Sequence, residues 1–152
     1  MGILPDGADK YCAGRGSGIG QGIAGALGVA LAHPDQRVVA VSGDGSAMYS
    51  IQALWTACHH DLPIIFVIMA NREYRVLKIN LDSYRARFNA PSDKPYPHMD
   101  LNQPALNFVD MAAGMGVAGE RITQADMIGP AVTRALANNK PYLIELEVAG
   151  QA

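Results

Sequence analysis

Two apolar segments, each followed by a side chain that can offer an oxygen ligand, constrain the fold of this chain more than any other feature. Residues 38–41 form an uncharged, β-branched run that stops just before Asp44, and residues 63–69 form a longer run that is followed by Asn71. Such runs predict strands covered on both faces, as in a parallel sheet. Ligands bind at the carboxyl ends of such strands, so Asp44 and Asn71 mark a candidate site.

The residues after Asp44 predict a helix that begins near Ser46. Apolar residues recur there with helical spacing and would form one buried stripe. The members of this stripe are Ala47, Ile51, Leu54, Trp55 and Cys58. Gly45 allows a tight turn, and the free N–H groups of the first helical turn would face an anion such as phosphate.

A cation fits the same place. Mg²⁺ prefers a few protein oxygens together with water and phosphate oxygens, so Asp44 and Asn71 with a nearby backbone carbonyl would bridge it to a diphosphate. A Gly-Asp-Gly turn alone is also common where nothing binds. The asparagine at the next strand end favours the metal site.

The stretch from Gly43 to Asn71 resembles the thiamin-diphosphate (ThDP) binding motif of ThDP-dependent enzymes. Residues 43–57 are most similar to benzoylformate decarboxylase and acetolactate-synthase-type proteins, and the resemblance runs from about residue 14 to residue 148. It implies the C-terminal, cofactor-binding domain of an enzyme that decarboxylates 2-oxo acids or joins them. The implied fold is a three-layer α/β/α architecture with a mostly parallel sheet.

The resemblance also implies which residues hold the metal and the diphosphate. The Mg²⁺ ligands would be the side chains of Asp44 and Asn71 and the backbone carbonyl of Glu73. The residues that would contact the diphosphate are Gly43, Gly45, Ser46 and Tyr74. Two positions depart from the family pattern, because Ala70 replaces a second asparagine and Arg72 replaces a small residue.

The aminopyrimidine ring of ThDP would contact the backbone of residues 16–20, including Ser17 and Gly18. The resemblance implies that Ile19 is the bulky side chain that bends the cofactor into a V shape. That bend brings the imino nitrogen of the pyrimidine close to C2 of the thiazolium, so the cofactor can remove its own proton.

No catalytic residue is expected in this chain. In the family, the glutamate that activates the pyrimidine comes from another domain, commonly across a subunit interface, and no segment here resembles that domain. The chain is therefore expected to be a fragment or a stand-alone subunit that is inactive alone. It would pair with a pyrimidine-binding domain or subunit, or form a homo-oligomer, to act on a 2-oxo acid.

Composition is consistent with one compact, cytoplasmic domain. The chain has 152 residues, 49% of them hydrophobic, which is enough for one core. A formal net charge of −2 argues against nucleic-acid binding. No apolar run reaches the roughly 20 residues that span a bilayer, and no leader peptide is recognisable. Cys12 and Cys58 lack metal-ligand spacing and are expected to be reduced.

Alternating apolar and polar segments complete a doubly wound pattern. Helices are predicted for residues 22–31, 104–115 and 124–137, with strands at 116–118 and at 142–148, the latter near a sheet edge. The polar stretch between residues 71 and 104 is predicted to be a long loop over the site, either functional or partly disordered.

Two other functions are compatible with parts of the sequence. Residues 20–25 match G-x-G-x-x-G and Asp44 follows at the distance of a ribose-binding acid, as in nicotinamide-binding Rossmann domains. That fingerprint needs an apolar strand before its first glycine, and residues 9–17 offer none. A non-catalytic scaffold or regulatory remnant that no longer binds ThDP is the other alternative.

Several charged and imidazole side chains near the motif are weaker candidates. His59 and His60 are adjacent, diverge by about 100° on a helix and cannot both face one ion, so helix-end capping is favoured. Arg72 or Arg75 could bind a substrate carboxylate, and the other basic residues are expected to form a solvated face.

Overall fold

The computed structural model describes residues 18–94 and 96–150. In chain order the elements are α1 (Gln21–Ala32), β1 (Val38–Gly43), α2 (Asp44–Ala47), α3 (Ala53–His59), β2 (Ile64–Ala70), α4 (Arg75–Arg87), α5 (Phe108–Gly114), β3 (Ala118–Ile122), a 3₁₀ turn (Ala125–Met127), α6 (Ile128–Ala137) and β4 (Tyr142–Glu147).

The four described strands form one parallel sheet in the order β1-β2-β4-β3. From β1 to β2 to β3 the chain moves in one direction across the sheet, and from β3 to β4 it turns back. A right-handed crossover then places the returning helix, α6, on the face opposite the earlier helices. The predicted α/β architecture with helices on both faces is confirmed.

Two apolar clusters fix these layers. On one face α1, α3 and α5 pack on the sheet around Phe66, Leu143 and Phe108, all fully buried. On the other face α6 packs with Ala131 and Ala135 against Ile65 and Ile144 and other strand residues. Burial of these side chains is the main force that holds the helices on the sheet.

The second face is covered unevenly. Because α6 lies over β3 and β4, the outward side chains of β1 have little over them among the described residues. Val39 and Val41 of β1 are 54% and 61% exposed. On this side of the sheet β1 therefore presents exposed apolar side chains.

The predicted position of the last strand is wrong. β4 was expected near an edge because Glu145 and Glu147 alternate with apolar residues, yet it lies between β2 and β3. The physical reason is that Glu145 is buried beside two arginines. The preceding strand also begins later than predicted, since β3 starts at Ala118 rather than Gly116.

Two predictions for the connections also need correction. The helix expected from Ser46 is broken after Ala47 by a turn and resumes at Ala53, so Trp55 is exposed rather than buried. Residues 71–104 are not one long loop, because they contain α4, a helix of 13 residues with none of them buried. Among the described residues, no helix combines the length and apolar character needed to cross a bilayer.

We predict that Leu143→Ala destabilises the chain far more than Leu136→Ala. Leu143 is fully buried in β4, whereas Leu136 of α6 is exposed, so only the first change leaves a cavity. The expected loss in the free energy of unfolding is about 2–5 kcal/mol for Leu143→Ala and about 0.5 kcal/mol for Leu136→Ala. Urea denaturation followed by far-UV circular dichroism measures both. Equal losses would contradict the assignment of β4 to the sheet interior.

Candidate functional site

The carboxyl ends of β1 and β2 bring the two predicted metal ligands to the same edge of the sheet. Gly43 pairs with Met69 in the parallel register, so the chains leave both strands at the same level. Asp44 is only 3% exposed. Its Oδ1 accepts a hydrogen bond from the Gly45 N–H at 2.8 Å, and its Oδ2 accepts one from the Arg72 N–H at 2.7 Å. The carboxylate therefore joins the loop after β1 to the loop after β2.

The loop after β2 is closed by its own side chains. Asn71 Oδ1 accepts a hydrogen bond from the Glu73 N–H at 3.2 Å. The Glu73 carboxylate lies 2.6 Å from Lys78 Nζ, which is also 2.6 Å from Asp100. Lys78 donates hydrogen bonds to Asp100 and to Glu73, and both raise its pKa above the ordinary value, the bond to Asp100 more strongly. The ammonium therefore stays charged throughout the neutral pH range.

Backbone bonds hold this loop against a second segment. The Leu101 N–H donates to the Arg72 carbonyl at 2.7 Å, and the Tyr74 N–H donates to the Met99 carbonyl at 2.8 Å. Glu73 and Asp100 form an isolated antiparallel bridge between these two bonds. The segment near residue 100 thus fixes the backbone on both sides of Glu73.

Gly45 lies directly under the ring of Tyr74. A Cβ atom at Gly45 would come within 2.5 Å of Tyr74 Cε1, closer than any real contact. Only glycine fits while the ring keeps this position. Because Gly45 has no side chain, the backbone at the start of α2, directly after β1, is left uncovered by a side chain of its own.

A separate pair of hydrogen bonds ties the start of α1 to the same loop. The Gly20 N–H donates to Ser46 Oγ at 2.9 Å, and the Ser50 hydroxyl donates to the Gly20 carbonyl at 2.6 Å. Gly20 has φ = 86°, a left-handed conformation. Gly18 and Ile19, which precede it, are exposed, and the predicted contact Ser17 lies outside the described residues.

Arg72 is held by its side chain as well as by its backbone. Its Nη2 lies 3.0 Å from Glu145 Oε1, and its Nη1 donates to the Leu106 carbonyl. Its φ of 61° is left-handed, which costs a residue with a side chain about 1 kcal/mol. The guanidinium thus already binds Glu145 and Leu106, so a substrate carboxylate at Arg72 would have to compete with these contacts. Arg75 lies 3.8 Å from the Glu73 carboxylate.

The donor set suits a hard cation that is shared with a ligand. Each oxygen of Asp44 accepts one N–H and keeps a further lone pair, and Asn71 adds an amide oxygen. In the described part of the chain, no group of three or more His, Cys, Asp or Glu side chains is placed to hold a metal ion. A cation beside Asp44 would therefore need amide, carbonyl or ligand oxygens to complete its shell.

The adjacent histidines are engaged elsewhere. His59 stacks on Trp55 with the ring centroids 4.9 Å apart, and His60 meets His59 edge to face. Both rings lie at the end of α3. This is the helix end at which the sequence favours a capping role for them.

Several residues of the site could not be identified from the sequence. Ser50 lies 30 positions from the Gly20 carbonyl that it binds, and Glu145 lies 73 positions from Arg72. Neither pair has a local spacing signal. The alternation in β4 was a misleading signal, since it indicated a strand near the sheet edge, whereas β4 lies between β2 and β3.

Comparison with known proteins identifies relatives of most of this chain. Residues 9–146 match the family model of the thiamine pyrophosphate enzyme C-terminal TPP binding domain. The chain is 38% identical over 133 residues to a Mycobacterium tuberculosis protein named "Putative acetolactate synthase large subunit IlvX", with 88% of this chain and 26% of that protein covered. It is 35% identical over 129 residues to benzoylformate decarboxylase of Pseudomonas aeruginosa, covering 85% of this chain and 23% of the relative.

A solved structure shows the same relation in three dimensions. The ThDP-dependent 4-hydroxybenzoylformate decarboxylase of Rhodococcus jostii RHA1 superposes with a TM-score of 0.75 at 34% identity, covering 88% of this chain and 24% of that one. The chain therefore spans about a quarter of the length of the relatives that it matches.

We predict that Gly20→Ala destabilises the chain, whereas Gly25→Ala does not. At Gly20 the left-handed φ is unfavourable for alanine, and a Cβ would lie 2.8 Å from Tyr49 Cβ. At Gly25, on α1, a Cβ meets nothing within 4 Å. Thermal and urea unfolding should show a loss of about 1–3 kcal/mol for Gly20→Ala and a gain of about 0.5–1 kcal/mol for Gly25→Ala. An unchanged free energy of unfolding in Gly20→Ala would contradict the left-handed turn observed at Gly20.

Proposed function

The chain belongs to the thiamine pyrophosphate enzymes, as their C-terminal TPP-binding domain, and on this premise we propose that it binds ThDP through Mg²⁺. We further propose that it does so as part of a 2-oxo acid decarboxylase or an acetolactate-synthase-type enzyme. The observation that carries the proposal is the buried Asp44 carboxylate, bonded to the Arg72 amide immediately beside Asn71.

For the metal, we propose Asp44 and Asn71 as side-chain ligands and the backbone carbonyl of Glu73 as a third. The Lys78 ammonium already binds the Glu73 carboxylate, which supports use of the carbonyl rather than the side chain. The backbone of Glu73 is fixed by the bonds of Arg72 and Tyr74 to the segment near residue 100. Preorganised oxygens of this kind lower the entropic cost of binding a cation.

For the diphosphate, we propose the start of α2. Ser46 Oγ accepts a hydrogen bond from the Gly20 N–H, so its own hydroxyl hydrogen can be donated to a phosphate oxygen. Gly43 is exposed and Gly45 has no side chain, which lets an anion approach the backbone there. Tyr74 packs on Gly45 and would border the diphosphate.

For the aminopyrimidine ring, we propose the segment that ends at Gly20. The exposed side chain of Ile19 is available to support the bend of the cofactor, with Gly18 and Ser17 as backbone contacts. Ser46 and Ser50 form hydrogen bonds with Gly20 and thereby fix this segment relative to the metal loop, the loop after β2 that carries Asn71 and Glu73.

The complete activity needs a second domain. When bound, ThDP supplies the nucleophilic carbon and the electron sink for decarboxylation of a 2-oxo acid. The residues of this chain would bind and orient it, and we propose that a pyrimidine-binding domain, on a partner subunit or in a homo-oligomer, supplies the activating glutamate. The family match weighs against the nicotinamide-binding alternative. The cytoplasmic location stays a prediction.

We predict that ThDP binds this chain only when Mg²⁺ is present and that Asp44→Ala removes this binding. Loss of the buried carboxylate should weaken the affinity at least about 100-fold, since even indirect contacts of a metal site change affinity 10–100-fold. Isothermal titration of ThDP, with Mg²⁺ and then with a chelator, measures the effect. Asp126→Ala, which removes an exposed acid within the 3₁₀ turn, is the matched control and should bind normally.

Two results would contradict the proposal. If the unaltered chain binds no ThDP with or without a pyrimidine-binding partner, the scaffold alternative is favoured. If Asp44→Ala binds as well as the control, the metal lies elsewhere. Asp44→Asn, which keeps the shape of the side chain, replaces Asp44→Ala where the alanine variant does not fold.

A further inference from the structure

We propose that Arg72 is a positioning residue for the metal loop and that the buried Glu145 is its anchor. This inference rests on the proposed function, because the loop in question carries Asn71 and Glu73. It concerns a residue whose backbone N–H and guanidinium are bound to two different buried carboxylates.

Glu145 is an unusual residue for the middle of a parallel sheet. It is fully buried, at 0% exposure, and lies between β2 and β3. A buried carboxylate is tolerated only where cations and N–H donors compensate its charge. Those partners are Arg72 Nη2 at 3.0 Å, Arg121 Nε at 3.0 Å and the Phe108 N–H at 3.1 Å. The Arg72 guanidinium is therefore held in place by the interior of the fold.

Arg72 also contacts the buried Asp44 carboxylate, through its backbone. The Arg72 N–H donates to Asp44 Oδ2 at 2.7 Å, while its carbonyl accepts from the Leu101 N–H. Arg72 thus connects Glu145, in the core, to Asp44, at the strand end. A hydrogen bond to a charged group is stronger than a neutral one, so both ends of this connection resist displacement.

The backbone at Arg72 shows why an anchor is needed. Its φ of 61° is a conformation that glycine adopts freely and other residues avoid. Glycine would adopt this conformation without strain, but it would also allow the turn to adopt other conformations. In this chain the side-chain contacts to Glu145 and Leu106 offset the unfavourable backbone and restrict the loop to one conformation. The N–H of residue 72 is thereby kept pointed at Asp44.

Arg121 provides a natural control within the same cluster. Arg121 lies on β3, and its guanidinium binds the Glu145 carboxylate of β4 and Asn107 Oδ1 at the start of α5. The cluster consists of Glu145 with its two cations, Arg72 and Arg121. Arg121→Gln removes one of these cations, as a change at Arg72 does, but on the side of Glu145 that faces α5. A purely structural role of the cluster would make the two positions equivalent.

The first test needs no ligand. Amide hydrogen exchange is measured by NMR on the 152-residue chain and on the variants Arg72→Gly and Arg121→Gln. In Arg72→Gly the amide at position 72 should exchange about tenfold faster relative to the amides of β2, because its bond to Asp44 opens locally. In Arg121→Gln the ratio should be unchanged. Equal loss of protection in both variants, or none at position 72 relative to β2, would overturn the proposal.

A second variant keeps the test decisive where Arg72→Gly does not fold. Arg72→Gln keeps a side chain and its backbone penalty but lacks the charge that binds Glu145. The same tenfold local change is expected, and its absence relative to β2 overturns the proposal in the same way. Comparison with β2 separates local loosening of the loop from a general loss of stability, which would accelerate all slow amides together.

The second test links the anchor to the proposed cofactor site. The concentration of Mg²⁺ that gives half-maximal ThDP binding should rise about tenfold in Arg72→Gly and stay unchanged in Arg121→Gln. Equal Mg²⁺ dependence in the two variants would show that Arg72 does not position the ligands. If the unaltered chain binds no ThDP, the proposed function fails, and the exchange experiment still decides whether Arg72 holds the loop.

Discussion

The parallel pairing of β1 with β2 is the constraint on which the rest of the site depends. Their register ends both strands at the same level and brings the loops after Gly43 and Ala70 together. The Asp44 carboxylate then accepts N–H groups from both loops. A slip of the register by one residue would move every side chain of β1 to the other face of the sheet and separate these groups. Core packing and site geometry are therefore set by one pairing.

The sequence was sufficient to predict the elements that apolar pattern alone determines. β1 and β2 are uncharged runs bounded by turn residues, and α1 lies where small and apolar residues recur. β4 was misplaced for a different reason, because tertiary contacts override the local pattern there. Glu145 resembles an outward-facing residue until Arg72 and Arg121 compensate its charge. α4 was missed for another reason: it lies in a stretch that is polar overall, and none of its residues is buried, so no buried apolar stripe marks the helix.

The candidate site was only partly predictable for a related reason. Asp44 and Asn71 stand out because each follows an apolar run, and Gly45 stands out because of its turn. The residues that hold them in place carry no such signal. Ser50, Lys78 and Glu145 act on partners that are distant in sequence or belong to other elements. Their roles follow from the path of the chain in space, which spacing along the sequence does not encode.

The uneven cover of the sheet has a practical consequence for the protein in solution. β1 lies at an edge of the described sheet, and no other described strand pairs with it on that side. Val39 and Val41 are more than half exposed on the face beside this edge. Open edges with β-branched side chains promote strand addition between molecules. The described part of the chain thus presents, at β1, an edge to which a further strand could be added, with apolar side chains beside it.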